Sequence, residues 1–224
     1  MPPVIDPISM KIQTEKCTIP GAVGTLEAVL DLPSQINSKN YVAVCCHPHP
    51  QHGGALSNKV TYTASRTLAG LGITSLRFNF RGVGESAGTY GEGDGEQDDL
   101  VAAVNWIRVK YPNRPLILAG FSFGARISAL QGINLNCALL ISIAPPVDRI
   151  PFTGFERPKC PWLIIQGLDD ELVNSDTVKS WGSEFNPPAV IEEMVGASHF
   201  FHGKLTELRS IIEAFTMDSL KLIR

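Results

Sequence analysis

The amino-acid sequence predicts an α/β fold: a mostly parallel sheet of about eight strands with helices on both faces. Three observations carry this prediction. Short apolar runs alternate with longer amphipathic segments almost from end to end. Cys137 to Ile143 reads as apolar on both faces, as central parallel strands do. Two strand-like runs adjoin at the start without a helix between them, which suggests an antiparallel edge. The chain has 224 residues, 44% of them hydrophobic and 18% charged, with a formal net charge of −3. That length fits one domain, residues 1–224. The composition is too apolar for disorder. There is no basic surplus to drive nucleic-acid binding through counterion release. The longest apolar runs fall far short of the ~20 residues a membrane helix needs.

The elements follow in order. Lys11 to Ile19 and Thr25 to Leu32 are strands joined by the turn Pro20 to Gly24, and Tyr41 to Cys46 is a third. Ser57 to Leu71 is a helix, with Val60, Ala64, Leu68 and Leu71 at helical spacing and Gly70 and Gly72 closing it. Ile73 to Phe78 is a strand, and a Gly-rich loop runs from Asn79 to Gly95. Glu96 to Tyr111 is a helix whose early acids Glu96, Asp98 and Asp99 suit a positive N-terminus, and Pro112 ends it. Pro115 to Phe121 is a strand, Phe123 to Gly132 a helix and Cys137 to Ile143 a strand. Trp162 to Gln166 and Val190 to Met194 are strands flanking a weak helix at Asp176 to Phe185, and Lys204 to Leu222 is a final amphipathic helix. The five cysteines are odd in number and lack C-x-x-C spacing. Met1 to Asp6 has neither a basic nor an apolar leader region, so a signal peptide is not expected and the cytoplasm is the expected compartment.

Gly120-Phe121-Ser122-Phe123-Gly124 fits G-x-S-x-G between a buried-strand run and a helix. A sharp strand-to-helix turn there lifts the serine oxygen above the sheet edge. It also turns the Phe123 N–H toward the place where an oxyanion would form. The plainer reading of Ser122 is a helix cap. With that motif in that context, the sequence resembles the α/β-hydrolase superfamily over nearly its whole length. The resemblance implies a nucleophile, an acid and a histidine in the chain order Ser, Asp, His. It places the acid at Asp170, because Gly167-Leu168-Asp169-Asp170-Glu171-Leu172-Val173 matches G-x-x-D-x-x-V, with Asp169 and Glu171 as neighbouring competitors. It places the base at His199, in Gly196-Ala197-Ser198-His199-Phe200-Phe201, with His202 as the rival.

Cys46 to Gly54 carries His47, His49 and His52, three of the five histidines. In the family this loop supplies the second oxyanion N–H. Pro48 and Pro50 have no N–H, so by position His49 is the expected donor. The H-P-H-P segment, the two following glycines and Asn58-Lys59-Val60 resemble a group of small cytosolic α/β-hydrolases related to the dienelactone hydrolases. Those enzymes use a cysteine nucleophile where Ser122 stands, so their substrate does not carry over. The competing reading is a metal site, since H-x-H-x-x-H approaches the box of binuclear zinc hydrolases, but Gln51 occupies the position of that box's aspartate. Arg81-Gly82-Val83-Gly84-Glu85-Ser86 resembles the superfamily's R-G-x-G-x-S turn, with a structural role.

Only Ala144 to Pro161 separates the sixth and seventh strands, where related folds often insert a cap. Five prolines punctuate it, and at most one short helix fits, around Asp148 to Phe155. No cap domain is expected, and the site should be open and shallow, with Phe152, Phe155 and Phe201 as rim aromatics for substrate binding. The expected activity is a serine hydrolase cleaving carboxylic esters with short or exposed acyl groups, acting on a small-molecule ester without cofactor or metal. A peptidase or amidase with the same three residues, and a scaffold that has lost activity, are the alternatives.

Overall fold

In the computed structural model the residues described are 11–36 and 40–222. Met1 to Asp6, the stretch that bears the leader reading, lies outside them. The first two apolar runs form a long hairpin: β1 (Ile12–Gly21) pairs antiparallel with β2 (Gly24–Pro33) around the two-residue turn Ala22-Val23. β2 pairs antiparallel with β4 (Thr74–Phe78). From there every pairing is parallel, through β3 (Val42–Cys46), β5 (Leu116–Phe121), β6 (Cys137–Ile143), β7 (Trp162–Gly167) and β8 (Val190–Met194). The strand order in this eight-stranded sheet is β1-β2-β4-β3-β5-β6-β7-β8.

Strand periodicity explains the three layers. Successive side chains point to opposite faces. Val42, Val44, Leu116 and Leu118 therefore join one core with Leu100, Val104, Ile107, Ile127 and Val178. Their alternates Ala43, Cys45, Ile117 and Ala119 join the other core with Val60, Leu68, Leu208 and Ile212. The first face is covered by α2 (Asp94–Lys110), α3 (Phe123–Leu130) and α4 (Ser175–Ser183), the second by α1 (Lys59–Gly70) and α5 (Leu205–Leu220). The Asn58 side chain caps α1 by accepting from the N–H groups of Val60 and Thr61. α2 starts at Asp94, two residues before the predicted Glu96, because the Glu96 carboxylate takes the N–H groups of Gly91 (2.9 Å) and Gly93 (2.7 Å) and closes the turn.

Two buried ion pairs brace the loops at the carboxyl ends of the strands. Arg77 donates to Asp31 (2.9 Å) and to the Leu56 carbonyl, tying the end of the histidine loop to the sheet. Arg81 forks onto Asp99 through Nε and Nη2, while its own backbone N–H bonds the same carboxylate. The R-G-x-G-x-S turn is thus clamped to α2, and the Ser86 hydroxyl donates to the Asn79 carbonyl within the turn. Between β6 and β7 no helix forms. Phe152 and Phe155 pack instead with Trp162, Trp181 and Phe185, and the prolines hold the rest in turns. Among the described residues no cap covers the sheet edge. No helix among the described residues is long and apolar enough to cross a membrane.

Candidate active site

β3 and β5 are neighbours, but their following helices cross to opposite sides of the sheet. A crevice opens at the carboxyl ends of such a strand pair. The loop after β5 brings Ser122 there, and the loop after β3 brings His47 to Gly54 beside it.

Ser122 has φ 52° and ψ −118°, a left-handed backbone that an L residue adopts only under constraint. Its N–H is held by the Ile143 carbonyl at 2.8 Å. Two glycines make the turn possible. A Cβ on Gly120 would collide with the Gly124 carbonyl, and one on Gly124 would collide with the carbonyls of Cys46 and His47. Strand, elbow and histidine loop therefore touch backbone to backbone.

The Ser122 hydroxyl meets His199 Nε2 at 3.1 Å, and His199 Nδ1 donates to Asp170 Oδ2 at 2.8 Å. Asp170 Oδ1 accepts from the N–H groups of Leu172 (2.9 Å) and Val173 (2.8 Å), and Gln166 Nε2 donates to Oδ2 at 3.0 Å. Burial would raise the Asp170 pKa. The hydrogen bond and charge of His199, then the N–H groups of Val173 and Leu172, outweigh burial and hold it below the usual carboxylate value. The neighbouring acids fall elsewhere. Asp169 is exposed, and Glu171 accepts the His199 backbone N–H at 3.1 Å. His202 is exposed.

The histidine loop is held by its own rings. His47 is fully buried, and its Nε2 accepts the Phe80 N–H at 3.0 Å. Nδ1 therefore carries the proton and donates to the Pro48 carbonyl at 2.6 Å. Burial lowers its pKa to about 4, against a smaller raising effect of the Pro48 carbonyl, so the ring is neutral. His49 Nδ1 accepts from the Gln51 N–H and caps a short 3-10 turn at Pro50–His52. Its pKa is lowered by burial and by His52, which stacks on it at 4.4 Å. Both His47 nitrogens are thus engaged within the fold, which leaves the H-x-H-x-x-H spacing without its first metal ligand. The backbone N–H groups of His49 and Phe123 have no acceptor among the described residues, and the two side chains pack at 5.0 Å between ring centroids.

The rim differs from the expected one. Phe201 is completely buried in the core with Phe121. Its φ of 53° turns the ring inward, and the adjacent Phe200, 39% exposed, lies against His199 at the surface. Leu168 and Leu172 are also exposed on the acid loop. Phe152 and Phe155 are half-buried, with faces committed to Trp181 and Trp162. Sequence reasoning missed Phe200, Gln166 and the Glu171 contact. Only the position of Gln166 near the end of β7, just before the loop that carries Asp170, offered a hint.

Residues 51–131 match a family model described as the alpha/beta hydrolase fold. A protein of Rickettsia prowazekii (strain Madrid E), the uncharacterized RP471, is 36% identical over 185 residues, covering 78% of this chain and 77% of its own. The crystal structure of XC6422 from Xanthomonas campestris, described as an a/b serine hydrolase without lid, is 42% identical with a TM-score of 0.88. The match covers 92% of this chain and 94% of that one. An alpha-beta serine hydrolase homologue from Coxiella burnetii is 44% identical with a TM-score of 0.85, covering 89% and 96%. Taken with the eight-stranded sheet and its uncapped edge, these likenesses establish that the chain belongs to the α/β serine hydrolases, as a small member without a cap.

Proposed function

We propose that the chain hydrolyses carboxylic esters through an acyl-serine intermediate, with Ser122 as nucleophile, His199 as base and Asp170 as the acid that orients it. The observation that carries the reading is the continuous chain from Ser122 Oγ through both His199 nitrogens to Asp170, beside two backbone N–H groups without an acceptor among the described residues. Asp170 accepts a hydrogen bond from the Nδ1–H, so the Nε2 lone pair faces the serine hydroxyl. His199 removes that proton as Oγ attacks the carbonyl carbon. The N–H groups of Phe123 and His49 receive the negative oxygen, acting as fixed dipoles that need no reorganisation. His199 then protonates the leaving alcohol, and water activated by the same ring cleaves the acyl-serine.

The open edge favours short acyl groups or an ester exposed on a larger molecule, with Phe200, Leu168 and Leu172 as apolar contacts beside the base. The five cysteines are free thiols, which suits a reducing cytoplasm. The test is turnover of p-nitrophenyl acetate and butyrate, with the matched p-nitroanilides as amide controls. Wild type should cleave the esters and Ser122→Ala should lose at least about a thousandfold in rate. Equal rates from the two proteins, or faster cleavage of the anilides, would refute the ester reading.

A further inference from the structure

Arg126 lies one helical turn after Ser122, and its backbone N–H donates to the Ser122 carbonyl at 3.2 Å. Side chains on a helix lean back toward its N-terminus, so a long residue here covers the turn that begins at Ser122. The guanidinium is bracketed by the two loops that flank the serine. Its Nε donates to the Pro151 carbonyl (2.9 Å) in the β6–β7 loop. Its Nη1 lies over Gly93 in the β4–α2 loop, where an added Cβ would stand 2.9 Å from Nη1 and 3.9 Å from the Phe123 ring. Tyr90, from the same loop, reaches His49 Nε2 at 3.3 Å and packs on Phe123 at 6.2 Å. Arg126 therefore stands on one wall with Tyr90, Phe123 and His49, next to the N–H groups assigned to the oxyanion.

Arg77 and Arg81 both present their forks to a buried carboxylate, Asp31 and Asp99 respectively. Arg126 has the same planar fork, half removed from water, but its two Nη groups have no acceptor among the described residues. Asp94 is near enough for its charge to be felt, yet it makes no ion pair with Arg126 among the described residues. Burial lowers the Arg126 pKa, with Asp94 and then Tyr90 opposing, as expected of a cation lacking a close counter-charge. A fork of this kind fits a carboxylate in two parallel hydrogen bonds.

We propose that Arg126 is a substrate-binding residue that selects esters carrying a free carboxylate, which would meet its Nη edge while the ester carbonyl sits at Ser122. The inference rests on the ester-hydrolase reading and adds the substrate class. The apolar surface of Phe200, Leu168 and Leu172 lies on the histidine side of the serine, so such a substrate would be anionic toward α3 and apolar toward His199.

The experiment measures kcat/KM on two matched pairs. Mono-p-nitrophenyl glutarate against p-nitrophenyl pentanoate places the carboxylate on the acyl side. Acetylated p-hydroxybenzoate against phenyl acetate places it on the alcohol side. In at least one pair, Arg126→Gln should lower the anionic-to-neutral ratio about tenfold or more, mainly through KM. Arg126→Lys should restore part of the ratio, and added salt should shrink it in wild type. A ratio rather than a rate is read because loss of the Pro151 contact lowers both members of a pair alike. Unchanged ratios in both pairs, with a wild type that turns over the neutral esters through Ser122, overturn the Arg126 assignment alone. A wild type inert toward all four esters overturns the activity and this inference with it.

Discussion

Replacing His47 with phenylalanine isolates what a buried histidine does for the loop after β3. An aromatic ring is kept, larger by more than a methylene, but both ring nitrogens are lost; any overpacking adds a pH-independent cost. The Phe80 N–H and the Pro48 carbonyl then lose the partners seen at 3.0 Å and 2.6 Å. A buried backbone group left without a partner costs about 1–3 kcal/mol, so the variant should be about 2–6 kcal/mol less stable at pH 7. The pH dependence gives an independent handle. The folded pKa of about 4 lies below the ordinary 6.5. As pH falls through 6.5 the unfolded chain takes up a proton that the folded chain refuses. Wild type therefore loses stability between pH 6.5 and about 4, by about 3 kcal/mol from this ring. The phenylalanine variant has no such proton to bind, so its deficit relative to wild type should shrink as pH falls. Urea unfolding of both proteins at several pH values between 7 and about 4 measures this directly. A variant as stable as wild type at pH 7, or a deficit that stays constant with pH, would show that the ring is not held neutral by these two bonds.

Other perturbations follow from the same geometry. Gly124→Ala drives a methyl into the carbonyls of Cys46 and His47; backbone offers no flexible end to yield, so a loss of about 1–3 kcal/mol in thermal or urea unfolding is expected, with activity falling further. Asp99→Asn leaves the Arg81 guanidinium, 9% exposed, without its counter-charge, and about 3–5 kcal/mol should be lost in urea unfolding. Glu171→Ala frees the His199 N–H from its 3.1 Å bond. A several-fold fall in kcat on p-nitrophenyl acetate is expected, and Glu171→Gln should restore most of it, since its amide oxygen also accepts.

Much of the fold is legible in local patterns. Val42-Ala43-Val44-Cys45-Cys46 is apolar at every position because it has helices above and below, and the same holds for Leu116 to Ala119. Elements end where caps act: Asn58 moves the start of α1 to Lys59, and Glu96 pulls the start of α2 back to Asp94. The site is legible where spacing and chemistry coincide, as at the glycines flanking Ser122, which the elbow needs for close backbone contact. It is less legible where a backbone angle decides. Phe200 and Phe201 look alike in sequence, and only the left-handed turn at Phe201 sends one ring into the core and leaves the other beside His199. The adjacent acids Asp169, Asp170 and Glu171 likewise differ only in where a tight turn aims them. Asp170 meets the imidazole, and Glu171 meets the backbone of the same histidine. The histidine loop invites a metal reading because spacing does not reveal that His47 is turned inward between Phe80 and Pro48.

In the proposed mechanism the strained serine at the end of β5 is a nucleophile activated by His199. Exposure of the intact protein to a fluorophosphonate, followed by peptide mass spectrometry, tests it most directly. One adduct is expected, on Ser122, with a rate of formation that falls by at least about a hundredfold in His199→Ala. Labelling at another residue, no labelling, or labelling at Ser122 that does not depend on His199 would contradict it.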